Sequence, residues 1–210
     1  MSGAEAIGVY VVDLRPIWRV GVQTALAGQD FTIVGEAADC AAALHDGRSR
    51  ACDVLVTSWP PLRLEWAEPP NLRRVPTLAL LRQGADAAVG VAALKIGAAA
   101  CLYDDVSPDD LRSAVRLVHE GGCIVDPRLT QAVSAQFHGD GRALPELSET
   151  EAEVAACIAT GWTNREIAHA TGIPERTVVT AISSLLQKLG LPTRSAVAAW
   201  WIRQGGQTRS

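Results

Sequence analysis

Three oxygen-bearing side chains close short apolar stretches of the sequence, and these are the residues most able to do chemistry. Asp13 ends IGVYVVD, Ser58 ends DVLVTS and Asp104 follows ACLY. If the three meet, their oxygens are candidates to hold a hard cation, and Asp104 is a candidate base for the Ser58 hydroxyl. A magnesium ion gives up its water reluctantly and needs several oxygen ligands, so a site with so few carboxylates is expected to bind it poorly.

The other residues that could ligate a metal or act as nucleophiles are scattered. The five cysteines contain no CxxC pair, and the four histidines show no ligand spacing. The sequence also lacks a phosphate-binding loop, a dinucleotide-binding glycine motif and a nucleophile triad. It therefore predicts a protein that is not an enzyme, with no catalytic residue, no metal and no cofactor.

Composition indicates a globular protein in a reducing compartment. Hydrophobic residues make up 48% of the chain and charged residues 20%, which is enough for a packed core. The net charge of −4 argues against a general binder of polyanions, although a local basic surface is compatible with it. No apolar run approaches about 18 residues, and the first residues lack the pattern of a secretory signal. We expect a cytoplasmic protein without a membrane span.

The first 126 residues alternate between short apolar strands and amphipathic helices. Strands are predicted at 7–13, 31–37, 53–58, 76–81 and 100–105, and helices at 16–28, 39–50, 85–97 and 107–122. This alternation predicts an α/β fold with a five-stranded parallel sheet in the flavodoxin-like order 2-1-3-4-5. Sites in such sheets form at the carboxyl ends of the strands, so Asp13, Ser58 and Asp104 are expected to be neighbours.

The rest of the chain predicts helices only. Residues 127–146 are interpreted as a linker with a possible short helix, and residues 147–210 as a second domain with helices at 148–161, 163–172, 174–190 and 193–205. The middle two helices have the form of a helix-turn-helix. On the longer one, an apolar face is predicted at Val178, Ile182, Leu185, Leu186 and Leu189. The opposite face is short, polar and mildly basic, which suits a helix laid in the major groove of DNA.

The segment LSETEAEV…GWTNREIA…GIPERTVVTAISSLLQKLG resembles the LuxR-type DNA-binding domain of NarL/FixJ response regulators. The resemblance implies a four-helix domain whose third helix enters the major groove, double-stranded DNA as the partner, and a homodimer. The residues expected to contact DNA are Thr163, Asn164, Arg165, Arg176, Thr177, Val179, Thr180, Ser183, Ser184 and Lys188. The family usually has a basic residue at the position of Val179 and often His or Asn at that of Ala181. Their loss is expected to weaken the contacts with phosphate.

Residues 1–126, which the helix-turn-helix domain follows, resemble a response-regulator receiver domain. In that domain two acids and an acceptor aspartate hold magnesium, and a hydroxyl and a lysine bind the phosphoryl oxygens. The corresponding positions of this chain, in that order, hold Asp13, Leu14, Ser58, Leu81 and Asp104. The resemblance therefore implies an atypical receiver that binds no metal and is not phosphorylated, in which nearby backbone satisfies the Ser58 hydroxyl.

Three functional interpretations remain open at this stage. The first is a dimeric, phosphorylation-independent transcriptional regulator. The second is a protein-interaction module or anti-regulator with weakened or lost DNA binding, which the residues at Val179 and Ala181 favour. The third is a regulator that senses a small molecule or protein effector in the receiver pocket, because Leu14, Trp59 and Leu81 make that pocket more apolar.

Overall fold

The sheet of the first half has one strand more than the sequence predicts. A computed structural model describes residues 6–46, 52–60, 75–129, 132, 146–191 and 193–203. Its strands are β1 (Ile7–Val12), β2 (Phe31–Ala37), β3 (Val54–Trp59), β4 (Thr77–Leu81), β5 (Ala100–Tyr103) and β6 (Ile124–Val125). All pairings are parallel and the order is β2-β1-β3-β4-β5-β6. The expected order of the first five strands is confirmed, whereas the count of five is wrong, because a two-residue strand is too short to leave a pattern in the sequence.

Within the residues that the structure describes, four helices cover this sheet, and their starts follow the capping signals in the sequence. They are α1 (Pro16–Ala25), α2 (Cys40–His45), α3 (Ala87–Lys95) and α4 (Pro108–His119). Asp39, Asp86 and Ser107 each cap a helix by accepting a hydrogen bond from a backbone N–H of its first turn. The helices end earlier than predicted, and residues 47–50 of the second predicted helix lie outside the described residues.

The sheet buries both of its faces, as parallel sheets do. On one face Val9, Val11, Val54 and Val56 pack with α1 and α4. On the other, alternate residues of the same strands point toward α2 and α3. Because successive side chains of a strand point to opposite faces, an almost continuous apolar run supplies both layers.

The second half is a bundle of four helices: α5 (Glu149–Ala159), α6 (Asn164–Thr171), α7 (Glu175–Leu189) and α8 (Arg194–Arg203). Two capping boxes begin α5 and α6, with Ser148 paired to Glu151 and Thr163 paired to Glu166. Gly172 ends α6 in the left-handed conformation at φ 72°, which lets the chain turn into α7 without strain. The four-helix arrangement of the sequence interpretation is thereby confirmed.

The two halves contact each other through the last helix. Ser195 of α8 is buried, and its hydroxyl donates a hydrogen bond of 2.8 Å to the carbonyl of Ala99, just before β5. Ala199 of the same helix packs into the cluster formed by α3 and the sheet. Of the predicted linker, the structure describes a 3₁₀ turn at Pro127–Leu129, Ala132 and Glu146, and the remainder lies outside the described residues. None of the described helices is both long and apolar enough to cross a membrane.

Candidate functional site

The carboxyl ends of β1 and β3 bring Asp13 and Ser58 together. Val12 is in register with Thr57, so the residues that follow on the two strands lie side by side. The Ser58 side chain lies close enough to the Asp13 carboxylate to help lower its pKa. The expectation that nearby backbone satisfies the Ser58 hydroxyl stays a prediction.

Arg15 makes three hydrogen bonds to Asp13 in this pocket, a role that the sequence interpretation does not predict. Its backbone N–H lies 2.5 Å from Asp13 Oδ1, and its Nε and Nη2 each lie 3.0 Å from an Asp13 oxygen. Burial alone would raise the pKa of Asp13, but the hydrogen bonds from Arg15 and Ser58 outweigh it and hold that pKa below its usual value. The guanidinium thus supplies, from within the chain, the positive charge that the buried carboxylate needs. A cation two residues after a strand-end acid is the signal that could have predicted it.

The other three positions that correspond to the receiver site, Leu14, Leu81 and Asp104, do not form the pocket that the sequence predicts. Asp104 accepts a 2.8 Å hydrogen bond from the Gln83 backbone N–H and also faces the charge of Arg15. Leu14 is 48% exposed, whereas Leu81 is fully buried in the core beside α3. The prediction that Leu14 and Leu81 line one apolar pocket is wrong, because the Leu81 side chain is fully buried in the core while Leu14 is exposed.

The residues at this end of the sheet do not fit a magnesium ion. Both Asp13 oxygens already accept hydrogen bonds from the Arg15 guanidinium. No group of three or more Cys, His, Asp or Glu in the described part of the chain is arranged to hold a metal. To bind here, a magnesium ion would have to displace the Arg15 guanidinium from Asp13. It would gain a single well-placed carboxylate in place of its water ligands, which is unfavourable.

The helix-turn-helix presents an exposed face along the first part of α7. Arg176, Thr177, Val179, Thr180 and Ser183 are all exposed, and the Val179 side chain is 48% exposed. Thr180 and Ser183 donate their hydroxyl hydrogens to carbonyls one turn back on the helix, at 3.0 Å each. Their hydroxyl oxygens remain able to accept hydrogen bonds, and the face is polar with one central apolar residue.

Ser184 and Lys188, the last two residues of the predicted DNA face, are tied to the interior of the bundle. The Ser184 hydroxyl and the Lys188 ammonium each donate to the carboxylate of Glu151, both at 2.7 Å. Burial of Glu151 would raise its pKa, but the hydrogen bonds from Lys188, Ser184 and the Ser148 backbone lower the pKa to about 2. Lys188 is nevertheless exposed, whereas Ser184 is only partly exposed, so of the two it is Ser184 that is withdrawn from the surface of α7.

Ala181 belongs to the core and not to the DNA face. It is buried together with Val178 and Leu185, whereas the predicted core residues Ile182, Leu186 and Leu189 are only partly buried. The interpretation of Ala181 as a lost phosphate contact is wrong, because this small residue is buried in the core of the helical bundle.

The first turn of α6 contributes three predicted contact residues in three different environments. Thr163 is buried and caps the helix by accepting from the Glu166 N–H, so its side chain is used within the bundle. Asn164 Oδ1 accepts a 2.6 Å hydrogen bond from Arg194 Nη1. Arg165 is exposed. Of these side chains, that of Arg165 is the one fully presented to solvent.

Comparison with known proteins is consistent with this geometry. The family model described as "Bacterial regulatory proteins, luxR family" matches residues 145–201. The "Probable transcriptional regulatory protein NarL" of Mycobacterium tuberculosis is 32% identical over 206 residues, which cover 95% of each chain. The chain belongs to the NarL-type response regulators. It is thus a transcriptional regulator of the response-regulator type, with a LuxR-type helix-turn-helix.

More distant NarL-type proteins match over nearly the full chain as well. The nitrate/nitrite response regulator NarL of Escherichia coli K12 is 26% identical over 217 residues, covering 95% of this chain and 97% of that one. RcsB from Salmonella enterica serovar Typhimurium, solved bound to a promoter, is 22% identical with a TM-score of 0.52. That alignment covers 93% of this chain and 98% of the other. At this identity the likeness to RcsB shows a shared fold and no more.

Proposed function

We propose that this chain is a transcriptional regulator that binds double-stranded DNA as a homodimer and that acts without aspartyl phosphorylation. The observation that carries the second part is the pairing of Arg15 with Asp13 beside Ser58. The position of the acceptor carboxylate holds a hydroxyl, and the remaining acid is neutralised by a guanidinium. The receiver is atypical in this proposal, serving as a scaffold and not as a phosphoryl switch.

The exposed face of α7 supports DNA as the partner. Arg176 and Arg165 are exposed cations near the start of α7 and α6, where a helix-turn-helix approaches the phosphate backbone. Thr177, Thr180 and Ser183 offer hydroxyls to base edges or to bridging water. One helix of this length reads few base pairs, so a dimer that reads two half-sites is the arrangement that yields useful specificity.

Phosphorylation is disfavoured at each step. A serine hydroxyl is a weak nucleophile unless a base activates it, and the adjacent Asp13 is held ionised by Arg15 with a lowered pKa, which makes it a weak base. Asp104 stands where a cation would be needed to hold the phosphoryl oxygens, and its charge would repel them.

Intact-mass measurement tests this proposal. The full chain is incubated with magnesium and a small acyl-phosphate donor, and we expect no adduct of about 80 Da, the mass of a phosphoryl group. The Ser58→Asp variant, in which a carboxylate acceptor is restored while Leu14 and Asp104 remain, is expected to stay unmodified too. Stoichiometric, acid-labile modification of the unaltered chain would refute phosphorylation independence.

A second candidate function is a protein-interaction module that has lost DNA binding. Its support is that Lys188 is engaged by Glu151 and that residues 145–210 carry six basic and six acidic side chains, which gives no net positive charge. Binding to labelled DNA fragments from the chain's own upstream region separates the two candidates. Saturable, salt-sensitive binding that is lost on Arg176→Ala supports the regulator; no binding to any fragment supports the interaction module.

A further inference from the structure

Arg194 begins α8 at the boundary between the two halves of the protein. Its Nη1 donates to Asn164 Oδ1 at 2.6 Å, and its Nη2 donates to the carbonyl of Trp162. It also contacts the thiol of Cys123, the residue before β6. The guanidinium therefore joins the last helix to the turn that precedes α6. It lies directly behind Asn164, which the sequence predicts to be on the DNA-binding surface.

The carboxylate whose charge acts on Arg194 is that of Glu166, but the two residues form no direct ion pair. Within the described residues, no Asp or Glu oxygen lies within 4 Å of the Arg194 guanidinium, whereas six other cationic side chains form seven such pairs. Its Nε is buried and has no acceptor among those residues. Burial lowers the pKa of the guanidinium. A buried cation that has no directly paired carboxylate costs stability, so we look for a role of Arg194 beyond packing.

The chemistry of the guanidinium fixes the orientation of Asn164. Arg carries five N–H donors and no acceptor, so the Asn164 amide must turn its oxygen toward Arg194. Its NH₂ group then faces away as a free donor, and no described residue accepts a hydrogen bond from it. The Asn164 NH₂ lies beside Gly121 of the receiver, where a Cβ built on that glycine would lie 3.9 Å from Asn164 Nδ2.

We propose that Arg194 is a positioning residue for DNA binding. It holds the Asn164 amide so that its NH₂ donates to a DNA phosphate, and its own positive charge lies behind that contact. This inference rests on the proposed DNA-binding function and adds to it a residue that lies outside the helix-turn-helix itself.

Fluorescence anisotropy with the full chain and a labelled mixed-sequence duplex tests the proposal, since phosphate contacts do not require the operator. With a duplex of about 30 base pairs titrated at several NaCl concentrations, Arg194→Gln should weaken binding and lower the salt slope by about one. Asn164→Ala should weaken binding about 3- to 10-fold with the slope unchanged, because it removes a neutral hydrogen bond. Arg194→Lys, which keeps the charge but not the planar fork, should resemble Asn164→Ala.

A double variant separates positioning from simple charge. If Arg194 acts through Asn164, then Asn164→Ala costs little further affinity in the Arg194→Gln background. Arg112→Gln on α4 is the matched control for loss of one positive charge, and it should leave affinity and slope unchanged. Asn164→Asp keeps an acceptor for Arg194 and therefore keeps the fold, but it should abolish DNA binding. This variant tests the proposal if circular dichroism shows that the Arg194 variants do not fold.

The outcomes that contradict the proposal are distinct from a failure of the function itself. Unchanged affinity of Asn164→Asp, or an Asn164→Ala effect that is equally large with and without Arg194, overturns the positioning role while DNA binding stands. If the unaltered chain shows no salt-dependent binding to the duplex, the proposed DNA-binding function falls, and the role of Arg194 falls with it.

Discussion

The Lys188 ammonium lies 2.7 Å from Glu151 Oε2 and ties the last turns of α7 to the first turn of α5. The buried carboxylate also accepts from Ser184 and from the Ser148 backbone. This contact holds α7 at a fixed angle to α5. It also pairs the positive charge of Lys188 with a carboxylate.

We expect acid to weaken this contact. The pKa of Glu151 in the folded protein is lowered to about 2 from an ordinary value of 4.5. A lowered pKa means that the carboxylate stabilises the fold above pH 4.5, and that this contribution is lost as the pH falls toward about 2. Glu151→Gln should cost about 1 to 3 kcal/mol at pH 7. The cost should shrink toward pH 3 in urea denaturation, whereas Glu153→Gln at an exposed site of α5 should change little at either pH.

Removing Arg15 should destabilise the receiver by leaving Asp13 buried and unpaired. Arg15→Gln is expected to lower the free energy of unfolding at pH 7 by about 1 to 3 kcal/mol, because two guanidinium hydrogen bonds to a carboxylate are lost. The pKa of Asp13 should rise in this variant, so the difference from the unaltered chain should narrow as the pH falls below 3.8. A cost that is independent of pH would contradict the pairing; Arg112→Gln, which breaks an exposed ion pair, is the control.

Arg176 and Lys188 should differ in their effect on DNA binding. The Arg176 side chain is exposed, so Arg176→Gln should lower the salt slope of binding by about one. Lys188→Gln should lower the melting temperature and leave the slope nearly unchanged, since its ammonium is already neutralised by Glu151. Anisotropy titrations and thermal melts on both variants check this, and a slope reduced by Lys188→Gln but not by Arg176→Gln would reverse the assignment.

A charge in the contact between the halves should separate them. Ala199 of α8 is buried against α3 and the sheet, so Ala199→Glu places a carboxylate where it cannot be hydrated. We expect a larger radius of gyration by small-angle X-ray scattering, with the helical content kept. Thr160→Glu, at an exposed position at the end of α5, should leave the radius unchanged.

The features that the sequence predicts best are those with a strong local pattern. Apolar runs closed by turn residues locate β2 and β4 within a residue, and the Ser148 and Thr163 capping boxes locate the starts of α5 and α6. The alternation of strand and helix fixes the strand order, because right-handed crossovers leave few alternatives.

The features that escape the sequence depend on packing between distant segments. The pairing of Arg15 with Asp13 depends on how the loop after β1 folds back, and the capture of Lys188 by Glu151 depends on the angle between α5 and α7. The sequence mispredicts Ala181 because helical periodicity identifies a stripe of apolar residues but does not show how that stripe is oriented toward the neighbouring helices. The role of Leu81 was misplaced for a similar reason, since the end of a strand does not reveal which face its last side chain takes.

The guanidinium in the receiver pocket has a consequence for how the protein could be controlled. A cation that is covalently part of the chain cannot be diluted, chelated or outcompeted at ordinary ion concentrations, so the pocket holds the same charge in every molecule. Under the proposed function, changes in cellular magnesium or in the supply of phosphoryl donors do not alter the charge of this pocket. Under the proposed function, the quantity left to vary is the number of molecules, which is set by synthesis and degradation.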